Sequence, residues 1–408
     1  MREWALRANR GVSLVCALFV VALLIIQVGR LSRYNMVPFT SAEANVADAA
    51  PHDPVVGQIP SWLLEYVRWR SPSRYLVYTC TETKQCGGLG DRVRGIVATF
   101  ALAVALNRTF LLHSDIPIGL ERVFAPNRLD WLTDAKAKDV PSAPIFIYGG
   151  GPNATLETHL LSLNRDPVFA DDVPVIRANV NRPIWSRIFA SPAYRNTMDG
   201  WGGPSRLDRQ QEELFAAWVW ALLFTPSPLL TETVAAKRRT LGIADNAEYI
   251  AMHFRHGGSW GDPIRHETDA IGRFATCADS MAAVLGGRAT SPLPSVIISD
   301  SNEVKRAYKA KYPDVRYDSM PLAHIDVAVK GAPVDEAAIV NLFADFYLIQ
   351  QSTCAVISRS GFSEWPTILS RNLTTGARCF ASFQGDCSAE AIRRSLQTFV
   401  PAVDCNSL

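Results

Sequence analysis

The hydrophobic pattern of the chain changes period several times along its length. Gly11–Gly29 (GVSLVCALFVVALLIIQVG) is an unbroken run without a formal charge. At about 1.5 Å per residue it reaches about 28 Å, close to the ~30 Å hydrocarbon core of a bilayer. From residue 31 to about 70 no period is sustained, and Ala, Pro and Ser are frequent. Tyr75-Leu-Val-Tyr-Thr then reads as a strand. Val93, Ile96, Val97, Phe100, Ala101 and Val104 fall at the spacing of one face of an amphipathic helix, and Phe110-Leu-Leu-His reads as a second strand. Strand, helix and strand in that order imply parallel pairing, with the first loop at the carboxyl edge of a sheet. The middle is irregular until two helices, Asp208–Phe224 and Leu229–Leu241, split by Pro226-Ser-Pro. Alternation then resumes: strand Glu248–Phe254, a helix near 271–285, strand Ser295–Ser299, helix 302–312, a short strand Val315–Tyr317, helix 335–350 and strand Cys354–Ser358. This alternation predicts a second parallel, doubly wound sheet.

The expected fold class is therefore α/β: two Rossmann-like doubly wound domains with a central cleft, the architecture called GT-B. A transmembrane helix and a stem precede them. The boundaries read as a tail at 1–10, a membrane anchor at 11–29, a stem at 30–73, an N-terminal Rossmann-like domain at 74–242 and a C-terminal Rossmann-like domain at 243–408. Composition agrees, since 408 residues with 48% hydrophobic and 20% charged side chains suffice for two cores. A formal net charge of +2 without any block of like charges argues against a nucleic-acid binder. Arg2, Arg7 and Arg10 precede the apolar run, which keeps the N-terminus cytoplasmic under the positive-inside rule. VGRLSR follows it where a signal peptide would carry a small-residue cleavage site, so the anchor is expected to stay uncleaved and the remainder to lie in the lumen of the Golgi or endoplasmic reticulum. Beyond Cys16 in the span, seven cysteines remain: Cys80, Cys86, Cys277, Cys354, Cys379, Cys387 and Cys405. Cys80/Cys86 and Cys379/Cys387 are near enough in sequence to bridge loops, but spacing does not fix connectivity. Asn107, Asn153 and Asn372 begin glycosylation sequons, Asn153 in the most loop-like setting.

Three stretches carry candidate chemistry. In QCGGLGDRVRGI (Gln85–Ile96), a dinucleotide fingerprint would need glycine at 93, where Val93 stands, and a Walker loop would need Gly-Lys-Ser/Thr. Gly88 and Gly90 still allow close backbone approach, and a helix start offers N–H donors. The plainer reading is a tight turn with Asp91 as N-cap of a helix beginning near Arg92, and with Arg92 and Arg94 solvated. In AMHFRHGGSWGDP (Ala251–Pro263), period-2 geometry puts His253 and Arg255 on one face of a strand. Arg255 before a bare loop at Gly257 suits bidentate grip of a phosphate, or a structural salt bridge. A metal set of His253, His256, His266 and Asp262 is disfavoured because the first two histidines diverge. In SRSGFSEW (Ser358–Trp365) a nucleophile elbow is not met, and Ser360, Gly361, Phe362 and Ser363 at a helix start suit a diphosphate or ordinary capping. Asp300, ending SVIISD, stands at another carboxyl edge and suits a nucleoside or a helix cap. No D-x-D triplet occurs anywhere.

Together GGLGDRVRGI, HFRHGGSW, SDSNEVK and SRSGFSEW resemble the superfamily of α1,2-, α1,6- and protein O-fucosyltransferases over roughly residues 74–385. Their style is nearest the plant and algal cell-wall and O-fucosyltransferase types. The chain departs from that pattern at His256 and Gly258 around the expected glycine and at Gly361 between serine and phenylalanine. The resemblance implies an inverting transferase using GDP-fucose, with no metal requirement and a glycan, polysaccharide or protein hydroxyl as acceptor. Arg255 would hold the β-phosphate with Ser360 and Ser363. His253 and Asp300 would lie near the nucleoside, and Asp91 would be a candidate base beside Gly88, Gly90 and Arg92. Two rivals stay open: a GT-B enzyme using another nucleotide sugar, and a catalytically silent lectin-like or scaffolding protein.

Overall fold

Two four-stranded parallel sheets organise the chain in a computed structural model. The described residues run from 59 to 398, apart from 82–85, 116, 133–141, 148–172, 246, 259–262, 267, 287–292, 326–334, 359, 371–378 and 383–384. The expected anchor at 11–29, the sequons at Asn153 and Asn372, Cys405 and Asp262 lie outside them. Among the described residues no helix is long and apolar enough to cross a membrane.

The first sheet contains β1 (Tyr75–Cys80), β2 (Thr109–Ser114), β4 (Ser142–Ile147) and β5 (Val175–Val180) in the order β2-β1-β5-β4. The second contains β7 (Ile250–Phe254), β8 (Ser295–Ser299), β9 (Cys354–Ile357) and β10 (Cys379–Ser382) in the order β10-β9-β7-β8. A short antiparallel pair, β3 (Phe124–Pro126) with β6 (Phe224–Pro226), stands apart. All five residues of β7 are buried, as a central parallel strand covered on both faces requires. Ile250, Met252 and Phe254 pack under α7 (Ile271–Gly286) and α8 (Asn302–Lys311). The opposite face joins Ala251, Ile298 and Ile357 to α9 (Glu336–Gln351) and α10 (Gly361–Leu369). That second layer is continuous with the core of the first sheet, and the described residues belong to one compact unit.

Three differences from the sequence reading have physical causes. Residues 61–69, expected in the stem, form helix α1, whose Trp62, Leu63, Tyr66 and Val67 are buried in the core; their helical spacing covers under three turns and follows a stretch without a period, shorter than the window over which a period is read. Helix α2 (Leu89–Ala105) is not amphipathic in place: apart from Asp91 and Arg94 all of it is buried, because the sheet lies on one side and other helices on the rest. Val315–Tyr317 contributes only an isolated bridge, Arg316 to Val296. Three disulfides pair Cys80 with Cys86, Cys277 with Cys387 and Cys354 with Cys379. The first is one of the two loop bridges that spacing allowed; the second, Cys379 with Cys387, does not form, because Cys379 stands opposite Cys354 in the ladder and Cys387 pairs with Cys277. The other two take their partners from α7 and from β9 beside β10, which sequence spacing does not reveal.

Candidate active site

Strand order decides where to look. In the second sheet the chain passes from β7 to β8 on one side and from β9 to β10 on the other, so the order reverses between β7 and β9. In open α/β sheets ligand crevices form at the carboxyl ends of strands at such a reversal. The residues leaving β7 are Arg255-His256-Gly257, and those leaving β9 begin at Ser358. Two of the three motifs are thereby brought together.

His253 lies opposite Ile357 in the ladder and is buried. Its Nδ1 is 3.2 Å from the Ser358 hydroxyl, and its ring centroid is 5.1 Å from that of Phe362. Burial, assisted by Arg255 and His266, lowers this imidazole to about 3, so it is neutral. Ser358 links the two strands further: its N–H donates to the His253 carbonyl, and its oxygen accepts from the Arg255 N–H at 3.2 Å.

Arg255 is anchored at both terminal nitrogens. Nη1 meets Asp300 at 2.9 Å and Nη2 meets His324 Nε2 at 3.1 Å, while 18% of the side chain stays accessible. Asp300 also accepts from the N–H groups of His256 (2.7 Å) and Gly257 (3.0 Å). Its carboxylate therefore organises the arginine loop. Gly257 has φ +77°, and a Cβ there would stand 2.1 Å from the Pro263 carbonyl oxygen. Only glycine satisfies both conditions.

At the start of α10, Ser360 is the N-cap and accepts from the Phe362 N–H at 3.3 Å. Ser363, expected at the diphosphate, is fully buried with its hydroxyl 3.1 Å and 3.2 Å from the carbonyls of Ser358 and Ser360. It braces the turn, because a short hydroxyl in the first turn reaches local carbonyls more readily than a ligand. Phe362 packs between His253 and Phe346.

The glycine motif arrives from the other sheet. Helix α2 starts at Leu89 with Gly88 as its N-cap, earlier than expected, which places Asp91 at the third helical position. There it accepts from the Gly88 N–H at 3.2 Å and pairs with Arg94 at 2.9 Å. Arg92, expected either at the donor or in solvent, is 4% exposed, and its Nε donates to the Gly87 carbonyl. The arginine turned outward is Arg94, which also approaches Glu364 at 3.8 Å and lies 6.0 Å from the Trp365 ring. Gly90 faces Gly361: a Cβ on Gly90 would be 2.6 Å from the Gly361 carbonyl carbon. The space this glycine clears is taken by the backbone of α10, so the two helix starts touch directly.

The histidines weighed as metal ligands do not converge. His253 turns to Ser358, and His256 Nδ1 lies 2.9 Å from the His266 carbonyl. Among the described residues no three His, Cys, Asp or Glu side chains form a metal-binding group. Pattern reading did not single out Arg94, Ser358 or His324. Arg94 carried a signal, being three residues after Asp91 on a helix. His324 carried none, since it lies in a segment without period.

No protein-family model matches the chain, and no curated protein matches its sequence. Solved structures resemble it to differing degrees. An Arg-to-Lys mutant of Arabidopsis thaliana FUT1, in complex with GDP, matches with a TM-score of 0.50 at 12% identity, covering 77% of this chain and 74% of that one. The fucosyltransferase NodZ from Bradyrhizobium matches at 0.45 and 13% identity over 77% of this chain and 96% of that chain. NodZ α1,6-fucosyltransferase soaked with GDP-fucose matches at 0.44 and 13% identity, over 73% and 92%. All three are fucosyltransferases, and what the FUT1 likeness establishes is a shared fold.

Proposed function

We propose that the chain is a GT-B glycosyltransferase that moves fucose from GDP-fucose, with inversion, to a hydroxyl of a glycan, polysaccharide or protein. The observation that carries this reading is Arg255, held at two nitrogens with an accessible edge at the strand-order reversal of the second sheet. Its motif is the one that resembles the superfamily, and the fold is shared with FUT1. As the sugar–phosphate bond breaks, negative charge grows on the β-phosphate while the sugar becomes oxocarbenium-like. A guanidinium fixed beforehand stabilises that charge without reorganising at the moment of reaction. The start of α10 beside it adds N–H dipoles of the same sign. The absence of any D-x-D triplet in the sequence fits a transferase in which arginine and helix amides take the place of a divalent ion.

The reading places the chain in the secretory pathway as a single-pass membrane protein with its catalytic part in the lumen. Gly11–Gly29 with its arginine flank supports the topology, and three disulfides support an oxidising compartment. Protease protection of the C-terminal bulk in intact microsomes is the expected result.

The deciding experiment is a thermal-shift series with GDP, UDP, CMP and their sugars, with and without EDTA. A ligand at about 100 times its Kd stabilises by about 2.7 kcal/mol. Selective stabilisation by GDP compounds, retained in EDTA, is expected. Selective stabilisation by UDP would replace the donor, and no response to any nucleotide would favour the scaffold.

A further inference from the structure

We propose that His324 is a positioning residue for Arg255: a neutral hydrogen-bond acceptor that fixes the plane of the guanidinium toward the phosphate. This rests on the nucleotide-binding reading of the same site. Arginine has donors only, so the 3.1 Å contact between Arg255 Nη2 and His324 Nε2 requires the lone pair to be on Nε2. His324 is therefore the neutral imidazole with its proton on Nδ1.

Asp300 at Nη1 and His324 at Nη2 grip the fork at its two terminal nitrogens. Geometry within a fraction of an ångström is what transition-state charge stabilisation needs. The chemistry of the second anchor matters as well. Asp300 already offsets much of the positive charge of Arg255. A second carboxylate would cancel the rest and repel a diphosphate, whereas an ammonium would repel Arg255 itself. A neutral acceptor fixes the direction without adding negative charge beside the proposed phosphate position.

The segment that carries His324 is built to hold it. Residues 318–325 contain no helix or strand, yet Asp318 at their start is sealed among lysines. One carboxylate oxygen is 2.8 Å from Lys237 Nζ and the other 3.1 Å from Lys305 Nζ, which also lies 3.3 Å from the Asp318 carbonyl. Ile325, the neighbour of His324, is buried in the core. The imidazole thus hangs between two fixed points, half-buried, with its acceptor on the arginine.

The test compares GDP affinity of the full-length chain by titration calorimetry, transfer from GDP-fucose and melting temperature for four proteins. These are the wild type, His324→Gln, His324→Asn and His324→Leu. The Gln oxygen sits where Nε2 lies, Asn is polar but too short to reach Arg255, and Leu fills the volume without an acceptor. Expected are a GDP affinity within about threefold of wild type for Gln and about tenfold or more weaker for both Asn and Leu, with melting temperatures alike, on the scale of a hydrogen bond to a charged group. If wild type binds GDP and all three variants bind equally well, the positioning role is overturned while the nucleotide reading stands. If Gln falls as far as Asn, the acceptor is not what matters and the role is again overturned. Wild type that ignores GDP removes the nucleotide reading itself, and the proposal with it. Should Leu fail to fold, the Gln–Asn comparison still decides.

Discussion

Two ionic clusters lie at the ends of one short segment, and they treat charge in opposite ways. In the first, Lys237 from α6 (Pro228–Thr240), Lys305 from α8, Asp345 from α9 and Asp318 are sealed from solvent, with Asn341 completing the coordination of Lys237 at 2.8 Å. Burial pulls the Lys237 ammonium down, but Asp345 and Asp318 outweigh it and the net shift is upward. Burial raises Asp318 less than its two lysines lower it, whereas for Asp345 burial prevails and the shift is upward. Asp318 is thus the firmer anion of the two. In the second cluster Arg255, Asp300 and His324 are also mostly buried, yet the arginine keeps an open edge at the sheet's carboxyl side. The lesson lies in the balance. A cluster in which ammonium and carboxylate are matched and closed holds the fold, while one that leaves a cation partly accessible is what the proposed grip on a phosphate requires.

The comparison can be broken first at its sealed member. Lys237→Met removes one cation and leaves two buried carboxylates short of a partner, a loss of about 3–5 kcal/mol. Chemical denaturation should show that loss. A change below about 1 kcal/mol would mean that water reaches the cluster and that it is not sealed.

Arg255→Lys attacks the open cluster. The charge stays but the fork does not, so transfer should fall about 10²- to 10³-fold. Melting temperature should hold near wild type, because a lysine ammonium still pairs with Asp300. A large fall in stability with undiminished activity per folded molecule would reverse the roles assigned to the two clusters.

A pH titration separates them further through His253, which borders the open cluster. Its folded value of about 3 lies below the ordinary ~6.5 of an unfolded histidine. Between those values the unfolded chain binds a proton that the folded chain refuses. The stability from keeping this ring neutral is full above pH ~6.5 and is lost as pH falls toward 3, on the order of a few kcal/mol. His253→Asn should flatten the slope of melting temperature against pH in that window. An unchanged slope would show that the ring is not held neutral.

Asp91 and Arg94 give the smallest effect and extend the series outward, with side chains 38% and 28% exposed. Asp91→Asn keeps an acceptor for the Gly88 N–H and loses only an exposed pair, so stability should change by less than about 1 kcal/mol. Turnover should stay within about tenfold, since one carboxylate oxygen accepts from the Gly88 N–H and the other is paired with Arg94. A fall of about 10²-fold would instead make Asp91 the general base that its motif suggested.

How much of this was legible beforehand differs along the chain. From Glu248 to Ser358 the expected strands and helices match the observed ones to within a residue or two, except for Val315–Tyr317. Short buried strands and period-3.6 helices alternate there, apart from the stretch between Lys311 and Glu336. The loops after β7 and β9 were recognisable for the same reason, because glycine, arginine and serine follow apolar runs at points where a parallel sheet must end. The helix at 61–69 and strands β4 and β5 were not, since short elements in weakly patterned sequence gain their stability from neighbours distant in the chain.

The sequence by itself determined the periods, and through them the parallel α/β class, the order of elements and which motifs end strands. Local sterics and side-chain alternation act between residues close in the chain, so they can be read there. Tertiary structure alone decided what those motifs touch. It set Gly90 against the backbone of Gly361, turned Asp300 onto Arg255 and the loop beside it, buried Arg92, and brought His324, 69 residues away, to the second arginine nitrogen. Such contacts depend on how two sheets and their helices pack, and the energy of packing is shared among residues that no spacing rule connects.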